Sequence, residues 1–267
     1  TLNSYKDMKC SLLDSNYIPN YIKKEIENIK YTYTYFFIVK SNNIKVTVNF
    51  LLNNRDDIQY NDECIKKIII GLNFAYTYSN TKNASFLLNL YLSEERKAIP
   101  KSNMKVLDQD NCNTAVTYAC AIKGECLIYR KEEWFKVLIH ETMHALCLDF
   151  SGFTYTNLKT KISKIFPINS KFEISETYAE TWATILKNVF ISNEMANNNK
   201  ERFKFFNSLM KLDIYFSLFQ VVKILDFMDI HEYEFLYCKE KECTTFQKLY
   251  KENTNVFASV SYTHLTL

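Results

Sequence analysis

The chain has 267 residues, of which 47% are hydrophobic, enough to bury the core of one large domain or of two small ones packed together without help from staples. Lys plus Arg number 33 against 30 Asp plus Glu, a formal net charge of +3. The basic residues are scattered rather than blocked, so nothing in the charge calls for nucleic acid or an acidic membrane as partner.

Along the chain, Ile18, Tyr21, Ile22, Ile26 and Ile29 recur at helical spacing and predict a helix from about Tyr17 to Lys30. "YTYTYFFIVK" and "IKVTVNFLL" alternate in β-rich residues around "SNN" at 41 to 43, a hairpin pattern. A helical period returns at Asn61 and runs through Ile65, Ile68, Leu72 and Tyr76 to about Ser79. "SFLLNLYLS" (85 to 93) follows as a strand. "TAVTYACAI" (114 to 122) and "ECLIYR" (125 to 130) flank Lys123 and Gly124 as the arms of a second predicted hairpin.

The next helix is "KEEWFKVLIHETMHALCLDF" (131 to 150). Glu132 and Glu133 are expected in its first turn, where the positive end of the helix dipole favours them, with Ser151 and Gly152 as its stop. Trp134, Val137, Leu138 and Leu146 form its apolar backing. Residues 153 to 170 read as a loop with a short helix before Pro167. "SKFEISETYAETWATILKNVF" opens on a Ser170-x-x-Glu173 capping box and continues as a helix, and 199 to 256 is mostly helical. Its most apolar part, "LDIYFSLFQVVKILDFMD" (212 to 229), is broken by Asp213, Gln220, Lys223 and Asp226, so it reads as a buried amphipathic helix and not a bilayer span.

The chemistry concentrates at "HETMH", which holds two of the four histidines. Residues four apart on a helix share a face, so His140 and His144 can present two imidazoles to one ion, and neutral imidazole is a good zinc ligand. Glu141 is turned about 100° from His140 and can take a proton from metal-bound water. A catalytic zinc needs a third protein ligand and one open position. A metzincin continuation would need Gly at 147 and His at 150, where the chain has Cys147 and Phe150. Asp149, five residues past His144 on the same predicted helix, is turned about 140° from it and is expected to point elsewhere. Glu176 and Glu180 in "SETYAE" lie four apart on the next predicted helix. Acids so spaced are usually a solvated face; beside the motif, Glu176 becomes the candidate third ligand and Glu180 a group that hydrogen-bonds a ligand histidine. Ala179 and Ala183 give that helix a small-residue side.

These residues resemble the gluzincin metallopeptidases, whose pattern is H-E-x-x-H followed on a later helix by E-x-x-x-D/E. The resemblance covers about residues 115 to 190. It implies one catalytic Zn2+ held by His140, His144 and Glu176, Glu141 as general base, and Glu180 buttressing a histidine. It also implies a zincin-like α+β fold: a mixed sheet with a backing helix and the active-site helix in residues 1–152, and an α-helical subdomain over 153–258 that carries the third ligand. The implied activity is endopeptidase hydrolysis of a peptide or protein substrate, with "ECLIYR" as an edge strand along which substrate is laid. Tyr155, Tyr178 and His231 are the candidates for stabilising the oxyanion, with no motif to choose among them.

Two alternatives stand beside this reading. A deformylase-like metal amidase would recruit a cysteine, for which Cys126 is the nearby candidate. A non-catalytic structural or interaction protein could keep zinc on a peptidase scaffold, although a closed structural site has no need of Glu141. The eight cysteines show no C-x-x-C pair and are read mostly as reduced core thiols, Cys147 among them; only Cys238 and Cys243 are close enough to raise a disulfide or metal reading. Three Gly and three Pro against 20 Phe, 19 Tyr and many Asn, Lys and Ile point to an AT-rich genome, such as that of a large virus or an intracellular parasite. With no signal-peptide pattern the expectation is an intracellular protein, while the start at Thr1 leaves secretion open. The terminal "SVSYTHLTL" (259 to 267), which includes His264, is set aside as a non-native tail.

Overall fold

The computed structural model describes residues 2–4, 10–39, 43–54, 61–81 and 84–262. Ser41 and Asn42 of the first predicted turn, and the tail from 263 with His264, lie outside them. The fold is α+β, and the chain divides into two compact units. One holds the chain up to Arg96 together with Asn113–Gly152; the other holds Lys97–Cys112 and the chain from Phe153 onward.

The first unit is built on a mixed six-stranded sheet of order β1-β2-β3-β4-β6-β5. The strands are β1 (Leu2–Ser4), β2 (Tyr31–Val39), β3 (Ile44–Leu52), β4 (Ser85–Ser93), β5 (Ala115–Thr117) and β6 (Lys123–Arg130). β2 and β3 form the expected hairpin, Tyr31 opposite Leu52 and Val39 opposite Ile44. Strands β3, β4 and β6 run parallel, which demands crossovers; helix α2 (Asn61–Tyr78) supplies the one between β3 and β4. The alternation of strand side chains sorts the core into two faces. Val46, Val48 and Phe50, with Leu88, Leu90 and Ile128, pack with Ile68 and Leu72 of α2 and with Leu138 of the motif helix. Leu51, Leu127 and Tyr129 face the other way, onto Ile22 and Ile26 of α1 (Asn20–Glu27). Helix α1 starts later than its apolar spacing suggests because Pro19 stands at its N-cap and disfavours helical backbone in the residue before it.

The second hairpin differs from expectation. Lys123 and Gly124 do not form its turn; both belong to β6 and pair with Ser85 and Phe86 of β4. The turn falls at 118–122, with Cys120 in left-handed backbone at φ 57°. β6 is therefore an interior strand, and the edge role expected of "ECLIYR" falls to the short β5 antiparallel to it.

Helix α4 (Trp134–Ala145) carries the motif and is shorter than predicted at both ends. Glu133 is its N-cap, in left-handed backbone at φ 57°, so Glu132 and Glu133 lie before the first turn rather than in it. Its end comes not at Ser151 and Gly152 but at Cys147, whose φ of 55° reverses the chain. Two bonds close that end in the manner of a left-handed helix cap, Leu148 N–H to Met143 O at 2.8 Å and Cys147 N–H to His144 O at 3.1 Å.

The second unit is helical: the single turn α3 (Gln109–Cys112), then α5 (Thr156–Ile165), α6 (Ile174–Met195), α7 (Asn199–Phe227) and α8 (Cys243–Leu249). Helix α5 is the short helix expected before Pro167, and at 10 residues it takes up much of the stretch read as loop. Phe257 is the centre of its aromatic core, edge-on to Phe166, Phe172 and Tyr250. The expected capping box does not form: α6 begins after Glu173, whose side chain makes no cap and pairs with Lys159 at 2.7 Å, while Ser170 Oγ donates to Glu252. Helix α7 does obey capping chemistry, since the Asn198 side chain accepts from Glu201 N–H. It is not the buried helix its composition suggests: Val221, Ile224 and Leu225 are covered, but Leu212, Tyr215, Phe216 and Phe219 are exposed.

Two disulfides are present, Cys120–Cys147 in the first unit and Cys238–Cys243 in the second. Cys147 is accordingly an exposed disulfide cysteine, not the core thiol expected of it, and the Cys238/Cys243 pair is a bridge. Cys10, Cys64, Cys112 and Cys126 are free thiols.

Candidate metal centre

Helix α4 is fixed in the first unit along its whole length. Leu138 and Leu146 enter the sheet core, Thr142 Oγ1 donates to Leu138 O at 2.6 Å, and Ser79 Oγ donates to Leu146 O at 3.0 Å. The carbonyl of His144 accepts from Cys120 N–H at 3.1 Å, and the Cys120–Cys147 disulfide closes the same corner. Backbone anchors on both sides of the residue thus set the direction of the His144 side chain.

The two imidazoles do share a face. His140 Nε2 and His144 Nε2 are 3.0 Å apart, with the rings tilted at 74°. Two nitrogens each about 2.05 Å from a tetrahedral zinc would be separated by about 3.3 Å, so the observed spacing matches shared coordination to within a few tenths of an ångström.

On its far side His144 meets Asp149, a fully buried carboxylate whose Oδ2 faces Nδ1 of the ring. This corrects the expectation that Asp149 points away. The expectation assumed an unbroken helix, whereas the left-handed Cys147 folds residues 148–150 back toward the ring. The other carboxylate oxygen accepts from Ser151 N–H and from Ser151 Oγ. Burial opposes the charge on Asp149, but the hydrogen bond and charge of His144 and the two donors of Ser151 leave its carboxyl below the usual value. When His144 is neutral, ionised Asp149 holds its proton on Nδ1, which leaves the lone pair on Nε2, the atom turned toward His140.

Glu176 lies in the first turn of α6, and Glu180 follows it one turn later. Among the described residues, one group of His, Cys, Asp or Glu side chains could hold a metal ion: His140, His144 and Glu176, with one ligand atom from each lying within 4.8 Å of the others. Two neutral nitrogens and one carboxylate oxygen form a donor set suited to zinc with a position left open. The His144 side chain is mostly buried, at 12% exposure, and His140, Glu176 and Glu141 are half-buried.

The remaining candidates are placed as follows. Ala179 and Ala183 are buried on α6. Tyr155 stands at the N-cap of α5, and Tyr178 is on α6 with its ring 6.3 Å from that of Trp182; both are half-buried. His231 is exposed, past the end of α7. Cys126 is outside the ligand group: it is fully buried in the sheet core, and burial followed by the charge of Glu141 pushes its thiol well above the ordinary value, away from the thiolate that binds metal. Asp149 is the site residue that sequence reasoning missed.

No helix among the described residues is long and apolar enough to cross a membrane. Comparison with family models, with curated proteins and with solved structures finds no match for this chain.

Proposed function

We propose that the chain is a zinc-dependent metallopeptidase of the gluzincin kind, with a zincin-like first unit. The observation that carries the reading is the pair of Nε2 atoms 3.0 Å apart on α4, one of them on a ring held by a buried carboxylate. A helix surface has no structural use for two converging imidazoles, one of them with its outer nitrogen so fixed, whereas a metal site has.

In this reading His140, His144 and Glu176 hold the ion. Zinc bound there would polarise a scissile carbonyl and bring the pKa of a coordinated water toward neutrality. Glu141 would hold the proton of an attacking water and return it to the leaving amine, a task that fits its place one residue beyond a candidate ligand and about 100° round the helix. Asp149 orients His144, and Glu180 is the candidate for a similar contact to a ligand histidine. Strand β5, last in the strand order, is where an extended peptide could add to the sheet.

The test is metal content of the purified chain and of His144→Ala, Glu176→Ala and Glu141→Gln, each paired with cleavage of a quenched peptide library. One zinc and cleavage in the wild type, metal loss in both ligand variants, and a metal-loaded but inactive Glu141→Gln are the expected results. Equal metal in all four, or none, would remove the proposal. Zinc retained in Glu141→Gln with unchanged cleavage would remove the assigned base.

A further inference from the structure

Over residues 212–226, helix α7 divides by exposure into two sides. At 100° per residue, Val221, Ile224 and Leu225 fall on the covered side. Asp213 falls there too, and accepts from Lys187 Nζ of α6 at 2.7 Å. The opposite arc, about 160° wide by the same projection, carries Leu212, Tyr215, Phe216, Leu218, Phe219 and Val222, all exposed. Leu212 keeps 64%, Tyr215 69% and Phe219 62% of its surface. Polar residues bound this stripe: Lys204, Ser208 and Lys211 toward the N-terminus, Lys223 and Asp226 toward the C-terminus, all exposed. The apolar part is about 15 Å long at 1.5 Å per residue.

An isolated exposed leucine needs no explanation, but a continuous stripe with three aromatic rings does. At about 200 Å² for an aromatic side chain and somewhat less for an aliphatic one, the exposed fractions of the six residues come to about 650 Å², against about 800 Å² per partner in a standard interface. The stems of the flanking lysines can supply much of the difference.

We infer that this face is the contact surface of a homodimer, in which α7 lies antiparallel on the α7 of a second copy. The charges select that occupant and its direction. An antiparallel pair centred between Leu218 and Phe219 sets Lys211 of each copy across from Asp226 of the other, and the same register sets Tyr215 across from Val222 and Leu218 across from Phe219. Two-fold symmetry makes each of these contacts twice. A parallel pair would instead bring Asp226 against Asp226. A lipid surface is disfavoured because Asp226 projects near the middle of the exposed arc and would be buried there without a partner.

Sedimentation velocity of the full chain with its disulfides intact, from roughly 1 to 100 µM, tests the inference. The wild type is expected to pass from monomer to dimer over this range. Phe219→Glu and Tyr215→Glu are expected to stay monomeric with unchanged far-UV circular dichroism, since both side chains are exposed in the single chain. Asp226→Lys should weaken the dimer by roughly tenfold or more, and adding Lys211→Asp should restore it to within a few-fold, the signature of a crossed charge pair. A wild type monomeric throughout, a Phe219→Glu variant that still dimerises, or a double charge exchange without rescue overturns it. So does a monomer that co-sediments with phosphatidylcholine and phosphatidylserine vesicles, which would assign the face to a membrane surface.

Discussion

Asp149 closes onto Nδ1 of His144, five residues earlier in the chain, although a continuous helix would turn the two about 140° apart. The contact depends on the chain reversal at Cys147 and on Ser151, which holds the second oxygen of the carboxylate. An imidazole so fixed keeps one tautomer and one direction. Replacing Asp149 by Ala or Asn is expected to weaken zinc binding by roughly 10- to 100-fold, the usual cost of losing such an outer partner. Competition titration with a chelator measures it. Ser151→Ala should weaken binding by less, because Asp149 keeps its contact to the ring. Unchanged affinity in the Asp149 variants would show that His144 needs no orientation from that side.

The Cys120–Cys147 bridge ties the turn before β6 to the end of the motif helix across a sequence separation of 27. Closing a loop of that length in the unfolded chain corresponds to about 3.5 kcal/mol on the chain-entropy account. The Cys120→Ser, Cys147→Ser double variant is expected to lose on the order of 3 kcal/mol in denaturant unfolding, and a peptide map of unreduced protein should show the two cysteines linked. Disulfides persist in oxidising compartments, so this map also bears on the intracellular expectation. Thiols at all four bridge positions in freshly isolated protein would favour a reducing one.

What could be foreseen from the sequence was whatever rests on local periodicity. Val46, Val48 and Phe50 alternate because a strand alternates, and His140 and His144 share a face because a helix repeats every 3.6 residues. Features set by one unusual backbone angle were hidden. Glu133 and Cys147 both adopt left-handed backbone without being glycine or asparagine, so neither marks a helix end by its identity, and the place of Asp149 follows from the second of them. Ser170 had the right spacing for a capping box, but its hydroxyl is taken by Glu252, 82 residues away, a competition that local sequence does not register. For α7, an apolar count told that the helix could be buried and not which side has something to bury it.

Asp213 is the shared acceptor between the two long helices. Its carboxylate takes the ammonium of Lys187 through both oxygens and the side-chain amide of Asn188 at 2.6 Å. Asn188 is fully buried, and Lys187 is largely covered. Removing the acceptor strands a cation and an amide in a poorly solvated place, so Asp213→Ala should cost about 2–3 kcal/mol. Lys187→Met should cost less, because Asp213 retains Asn188 and part of its hydration. Equal losses in the two variants, measured by urea unfolding, would mean that the pair is balanced by solvent rather than by Asp213.

Glu252 makes the stability of the second unit depend on pH. Its carboxylate accepts from Ser170 Oγ at 2.6 Å, Phe257 N–H at 2.9 Å and Tyr250 OH at 3.0 Å, yet burial outweighs these donors and pushes its pKa up from 4.5 to about 6. Between those two values the folded chain holds a proton that the unfolded chain has released. Because the unfolded state binds fewer protons there, stability falls as pH rises through this window, by on the order of 2 kcal/mol, and is restored as pH falls through it. Other carboxylates titrate nearby, so the quantity to follow is the difference between the wild type and Glu252→Gln, which carries no charge at any pH. That difference is expected to move by on the order of 2 kcal/mol in favour of the glutamine variant between pH 4.5 and pH 7, read from urea midpoints at matched slopes. A difference independent of pH would mean that Glu252 ionises in the folded chain as easily as in the unfolded one, its hydrogen-bond donors offsetting its burial.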